Sequence, residues 1–329
     1  MILLNRMPQL APDRHSSQVQ AITDAPLFIV GAPRSGTTWV QRMLLAHPQA
    51  CGGQESHFFP GFAYPMQMFD PTPPEERQVN LSTYWTKETF WEELRGLWRR
   101  TMAPIILAKT GATVLVEKTP QHAQYMDRIV DLLPASRFIH VIRDSRSVVA
   151  SLLAASKQPW GKRWAPHDAL TAARTWKSHV LQANQVGALL GPHRYTTVHY
   201  EQLRADPVPQ IIRLLAFVGL QITEQGARDI AQEHAFAKAK DAARSSMGAH
   251  EPPGFIRHGS TDNWRKELSF RQKRIVWKYT GPIMLKCGYT RAGWTPRHPT
   301  QRSGLAASAA SDITPSSTGF RTPAPIFHR

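Results

Sequence analysis

The stretch Pro26-Leu27-Phe28-Ile29-Val30-Gly31-Ala32-Pro33-Arg34-Ser35-Gly36-Thr37-Thr38-Trp39 constrains this chain more than any other. Leu27 to Val30 form a short, uncharged apolar run, which predicts a strand buried on both faces. A loop of small residues follows. Thr37 then opens the run Trp39-Val40-Gln41-Arg42-Met43-Leu44-Leu45, whose apolar positions recur at helical spacing. Strand, tight loop and helix in that order make an anion-binding device, because loop amides converge on the ligand and the helix dipole favours its charge. Gly31 and Gly36 keep the spacing of the nucleotide loop G-x-x-x-x-G-K-[ST], but Thr37 stands where its lysine belongs. The positive charge has moved to Arg34. A kinase uses that lysine on the β/γ-phosphates, so the loop suits an anion that resembles a 5′-diphosphate and has no γ-phosphate.

At 329 residues and 42% apolar content the chain is long enough for one large α/β domain. Its net charge of +16 lies mostly in the middle. Residues 1–25 balance Arg6 and Arg14 against Asp13 and Asp24, and residues 295–329 add Arg297, Arg302, Arg321 and Arg329 against Asp312. A basic core calls for anionic partners such as phosphonucleotides or nucleic acid. Cys51 and Cys287 are too few for a disulfide framework and lack metal spacing. With no long apolar leader at Met1-Ile2-Leu3-Leu4, the expectation is a cytoplasmic protein without a membrane span or a metal.

Further strand and helix patterns follow the first unit. Ala112 to Val116 read as a second buried strand that ends in Glu117-Lys118-Thr119-Pro120, and Arg137 to Ile142 as a third that ends in Arg143-Asp144. Residues just past the carboxyl end of a parallel strand face the ligand crevice, which singles out Lys118. Residues 121–133 read as one amphipathic helix, residues 168–190 as a long one, and Arg194 to Glu201 as a strand. Helices start at Pro207 and Glu224 and occupy 270–287. Between the first two units, Phe90, Trp91, Leu94, Leu97 and Trp98 have helical spacing and read chiefly as core. The alternation calls for a three-layer α/β sandwich with a mainly parallel central sheet. Its expected limits are residues 26–294, with 57–110 as a helical insertion on the acceptor side. Residues 1–25 are expected to be a flexible arm and 295–329 a disordered tail.

Arg34-Ser35-Gly36-Thr37-Thr38-Trp39 resembles the 5′-phosphosulfate loop of the sulfotransferases that use 3′-phosphoadenosine 5′-phosphosulfate (PAPS), and the resemblance extends over roughly residues 26–290. It implies that Arg34, Ser35, Gly36, Thr37, Thr38 and Trp39 hold the 5′ end of the donor. Arg143 and Ser151, eight apart, fit the pair that binds the 3′-phosphate. Tyr200 fits an adenine-facing tyrosine, and Arg257-His258-Gly259 fits the closing 3′-phosphate loop, with histidine in place of the family's lysine. Glu55, followed by Phe58-Phe59, is similar to the base of the glycan-modifying branch, and Lys118 to the lysine beside the transferring group. A carboxylate is chemically suited to take the acceptor's proton. Histidine is the alternative base, His57 especially, with His140 a further candidate. The implied activity is sulfuryl transfer to a hydroxyl or amine of a carbohydrate or small metabolite, with Glu55, Lys118 and Arg34 catalytic and no metal. The competing readings are a Mg-ATP-dependent P-loop kinase and a non-catalytic nucleic-acid-binding protein.

Overall fold

The computed structural model describes residues 14–70, 79–235 and 259–293. Five strands form one parallel sheet: β1 (Leu27–Gly31), β2 (Ala50–Gly52), β3 (Val114–Lys118), β4 (Arg137–Ile142) and β5 (Tyr195–His199). Their spatial order is β2-β3-β1-β4-β5, with Ile29 opposite Lys118 on one side and Gly31 opposite Val141 on the other. The chain builds leftward from β1 and then rightward, so the strand order reverses at β1. That reversal opens a crevice at the carboxyl ends of β1, β3 and β4, where ligands of such sheets bind.

Alternation along β1 divides the core. Phe28 and Val30 point into one cluster with Leu115, Phe138 and Trp98, while Leu27 and Ile29 point into another with Val116, Ile139 and Leu214. The first face is covered by α1 (Arg14–Asp24), α3 (Phe58–Gln67), α4 (Lys87–Leu107) and α5 (Met126–Leu132), the second by α2 (Thr37–Leu45), α9 (Pro207–Phe217) and α10 (Glu224–Glu233). A third cluster lies between α6 (Ser145–Ala155), α7 (Ala169–Leu190) and α11 (Phe270–Lys286). The expected three-layer α/β sandwich is thus observed. Phe90, Trp91, Leu94 and Trp98 are all buried, so that stripe of the 57–110 insertion is core.

Three local expectations need correction. Within the arm expected at 1–25, residues Arg14–Asp24 are helical. Asp24 pairs bidentately with Arg99 at 2.7 and 2.6 Å, and the Trp98 indole donates to the Thr23 carbonyl. These are tertiary anchors that local composition does not display. The helix expected over 121–133 is broken at Tyr125, between a 3-10 turn (Pro120–Gln124) and α5. The turn buries His122 between the Phe28 and Phe59 rings. Finally, β5 stops at His199, and Tyr200 begins the short helix α8 (Tyr200–Ala205) instead of continuing the strand. Residues 1–13 and the tail 295–329 lie outside the described residues.

Candidate active site

The anion loop forms as its residues dictate. Arg34 takes a left-handed conformation (φ 75°), and Gly36, the N-cap of α2, another (φ 99°). Successive turns of this kind aim backbone amides into one concavity. The Thr37 and Thr38 amides at the start of α2 precede its first backbone hydrogen bonds, in which Trp39 and Val40 donate to the Gly36 carbonyl. Gly36 cannot be enlarged: a Cβ there would lie 2.6 Å from the Tyr200 ring. Ser35 is fully buried, and its hydroxyl has no hydrogen-bond partner among the described residues.

Around this loop the structure gathers residues far apart in sequence. Arg34 Nε donates to Ser151 Oγ at 3.1 Å, and its guanidinium lies 5.6 Å from the Trp160 ring centre. Arg143, just beyond β4, donates to the Arg34 carbonyl at 3.1 Å and to the Ser260 carbonyl at 2.8 Å. The Tyr200 ring packs 4.1 Å from that guanidinium, and the Tyr200 hydroxyl donates to the Gly259 carbonyl at 2.9 Å. Trp39 packs edge-on against Tyr200. Arg143 Nε is buried and, among the described residues, has no acceptor. Arg34, Ser35, Gly36, Trp39, Arg143, Ser151, Tyr200 and Gly259 therefore form one basic, aromatic-walled cluster. Thr37 and Thr38 open α2 beside it. Arg257 and His258 lie outside the described residues.

The second half of the site lies at the ends of β2 and β3. Lys118 Nζ is buried and donates to Glu55 Oε1 at 2.5 Å. His57 Nε2 is 3.4 Å from the other oxygen of Glu55. Burial alone would raise the Glu55 pKa, but the His57 hydrogen bond and the Lys118 charge outweigh it and hold the carboxyl below the usual range. The Glu55 hydrogen bond pushes the His57 imidazole upward. Phe58 and Phe59 are buried against Phe28 and Trp98, so they anchor the loop. His140, the other histidine candidate, is fully buried at the centre of the sheet, bonded to the Tyr195 hydroxyl at 2.7 Å, and burial holds its pKa down to about 3.

Sequence reasoning overlooked two supports. Glu201 accepts from the Asp144 amide at 3.0 Å and from the Tyr289 hydroxyl at 2.7 Å, which fixes the turn that carries Arg143 to the start of α8. Asp144 in turn caps α6 and grips Arg146 through both oxygens. The signal for Asp144 was only the acid-basic pattern Arg143-Asp144-Ser145-Arg146. Among the described residues no cluster of His, Cys, Asp and Glu could hold a metal ion, and no helix is long and apolar enough to cross a membrane.

The sequence model of the Sulfotransferase family matches residues 26–224. A putative protein-tyrosine sulfotransferase of Caenorhabditis briggsae is 28% identical over 211 residues, 60% of this chain and 67% of that protein. The protein-tyrosine sulfotransferase of Drosophila melanogaster is 26% identical, over 58% of this chain and 37% of its own length, and protein-tyrosine sulfotransferase 1 of Danio rerio is 28% identical, over 60% and 54%. The chain thus spans from about a third to two thirds of the curated relatives it matches. Among solved structures, mouse sulfotransferase SULT7A1 complexed with PAP superposes with a TM-score of 0.52 at 14% identity, covering 82% of this chain and 89% of that one. The sulfotransferase domain from the curacin biosynthetic pathway gives 0.52 at 17%, covering 79% and 97%. These matches to protein-tyrosine sulfotransferases stand against the cytoplasmic expectation. A strand-order reversal carrying this loop, and a family match across 26–224 that takes in both halves of the crevice, lead to one conclusion: the chain belongs to the sulfotransferase family.

Proposed function

We propose that this chain transfers a sulfuryl group from PAPS to an acceptor hydroxyl, with Glu55 as the base. The observation that carries the reading is the Glu55–Lys118 pair, set at the carboxyl end of the strand beside the anion loop. The donor fits the residues present. Buried Ser35 Oγ and Arg143 Nε lack partners among the described residues, and phosphate oxygens would satisfy both. Arg143 and Ser151 would hold the 3′-phosphate together with Arg257, His258 and Gly259. Ser35, Gly36, Thr37 and Thr38 would hold the 5′ end, and Tyr200 and Trp39 would wall the adenine side.

PAPS supplies an activated sulfur whose bond to the bridging phosphate oxygen breaks as the acceptor oxygen attacks in line. Glu55 accepts the acceptor's proton. Lys118 and Arg34 offset charge on the equatorial oxygens and on the departing phosphate, where positioned cations stabilise the transition state most. The bond broken leaves adenosine 3′,5′-bisphosphate, and the bond formed is a sulfate ester.

Two considerations favour a tyrosyl hydroxyl as the acceptor. Glu55 is held below the ordinary carboxylate range, which makes it a weak base. A phenol, with a pKa near ~10, gives up its proton far more readily than a sugar hydroxyl does. The matched relatives named protein-tyrosine sulfotransferases act in the same direction. A carbohydrate acceptor is the second reading, and it rests on the Glu55-x-x-Phe58-Phe59 pattern. Radiolabelled sulfate transfer from PAPS to a tyrosine peptide and to a glycan pool separates the two. Label on the peptide supports the first, label on the glycan alone supports the second, and transfer to neither with Mg-ATP consumption would favour a kinase.

A further inference from the structure

Lys118 and Glu117 are neighbours on β3, and adjacent strand residues face opposite ways. Lys118 turns into the crevice and meets Glu55, while Glu117 turns beneath the loop that carries Glu55. The Glu117 side chain is almost fully buried. Its Oε1 accepts from the Ser56 amide at 3.2 Å, the Ser56 hydroxyl at 2.7 Å and the Thr119 hydroxyl at 2.8 Å. Its Oε2 lies 2.8 Å from Nδ1 of buried His122.

The contacts continue outward from the carboxylate. Ser56 Oγ, which donates to Glu117, accepts from the Phe58 amide at 3.2 Å, and the His57 amide donates to Thr119 Oγ1 at 3.3 Å. His57 itself takes a left-handed conformation (φ 49°), an uncommon one for a residue other than glycine. Such a conformation persists only where the surroundings over-determine it. Here those surroundings are the Glu117 and Thr119 side chains on one side and the buried Phe58 and Phe59 on the other. The links that cross to the loop run from Glu117 at the end of β3 and from Thr119 just beyond it to Ser56 and His57, which immediately follow Glu55.

We propose that Glu117 is a positioning residue: through Ser56 its buried carboxylate clamps the loop of residues 55–57 to the end of β3 and so fixes Glu55 against Lys118. Glu117 touches no reacting atom. Its effect on turnover rests on the reading of Glu55 as the base, but its effect on the loop does not. An isolated buried carboxylate would be costly, and this one is offset by donors from the segment that must be held still.

The test uses Ser56→Ala, which removes the shortest contact and leaves the buried charge, with Glu117→Gln beside it and Ser56→Thr as the conservative variant. In the ligand-free protein, amide hydrogen exchange over residues 55–58 is expected to speed up at least tenfold in Ser56→Ala and Glu117→Gln and to return to wild type in Ser56→Thr. With PAPS and a tyrosine peptide, kcat is expected to fall about tenfold or more in the first two, while affinity for adenosine 3′,5′-bisphosphate stays within about twofold. Unchanged exchange in Ser56→Ala overturns the clamp. Faster exchange with full turnover overturns the positioning role, and so does equal loss of nucleotide affinity and turnover, which would mark a general structural role. If the wild type transfers no sulfuryl group while the exchange changes appear, the clamp stands and the functional reading falls.

Discussion

Lys118 and Glu55 stand 63 residues apart in the chain, yet Nζ and Oε1 lie 2.5 Å apart. The lysine is buried and the carboxylate partly open, so the pair joins a fixed strand end to a loop that faces the crevice. Removing Lys118 takes away a cation that lowers the Glu55 pKa and leaves His57 beside the carboxylate. Lys118→Ala is therefore expected to raise the Glu55 pKa and to reduce turnover. Carboxyl titration by selectively labelled NMR checks the first effect; an unmoved Glu55 would show that Lys118 does not govern it.

Gly36→Ala is expected to damage the nucleotide half selectively. The added Cβ must displace Tyr200, whose ring also covers Arg143, and it must do so at a positive φ. Calorimetry should show adenosine 3′,5′-bisphosphate binding weakened at least tenfold, about 1.4 kcal/mol. Unaltered binding would mean that the loop does not contact the nucleotide.

Arg143 is proposed to hold the 3′-phosphate, and the Arg34 and Ser260 carbonyls and the Tyr200 face fix its guanidinium in place. A lysine cannot reproduce that planar set of donors. Arg143→Lys is expected to lower affinity for the 3′,5′-bisphosphate at least tenfold and to leave AMP binding nearly unchanged, so the ratio of the two affinities collapses. A parallel loss for both nucleotides would place Arg143 elsewhere.

The pH profile follows from Glu55 and His57. The lowered Glu55 pKa keeps the carboxylate ionised at neutral pH. Its hydrogen bond raises the His57 pKa, so His57 holds its proton further up the scale than an ordinary histidine. Protonated His57 stabilises the Glu55 charge and weakens it as a base, and loss of that proton as the pH rises restores it. kcat/KM is expected to climb through an inflection above the ordinary histidine value of about 6.5, and His57→Asn is expected to abolish that step. An identical profile in the variant would uncouple His57 from the base.

Much of this arrangement could be read in the sequence, for identifiable reasons. β1, its loop and α2 are specified locally, by an apolar run, two glycines at fixed spacing and helical periodicity. The carboxyl ends of β3 and β4 could be located to within about two residues because charge marks them, at Glu117-Lys118 in the last positions of β3 and at Arg143-Asp144 just past β4. What could not be read depends on contacts through space. The helix Arg14–Asp24 is secured by Arg99, and the break at Tyr125 accompanies the burial of His122 beside Glu117. The left-handed turn at His57 likewise depends on Ser56, Thr119 and Glu117 meeting across some sixty residues. Alternation showed that Glu117 and Lys118 diverge, but it could not say what each would meet. Nor could the count of two cysteines locate the protein in the cell.

The most direct test compares sulfuryl transfer by the wild type and by Glu55→Gln, using PAPS and a tyrosine peptide, alongside affinity for adenosine 3′,5′-bisphosphate. Glutamine keeps the size and hydrogen bonding of Glu55 but cannot accept the proton. Loss of a general base costs ~10²–10⁴ in rate, so turnover is expected to fall by that factor with nucleotide affinity near wild type. A Glu55→Gln enzyme that keeps most of its activity, while His57→Ala loses it, would contradict the assignment of Glu55 as the base.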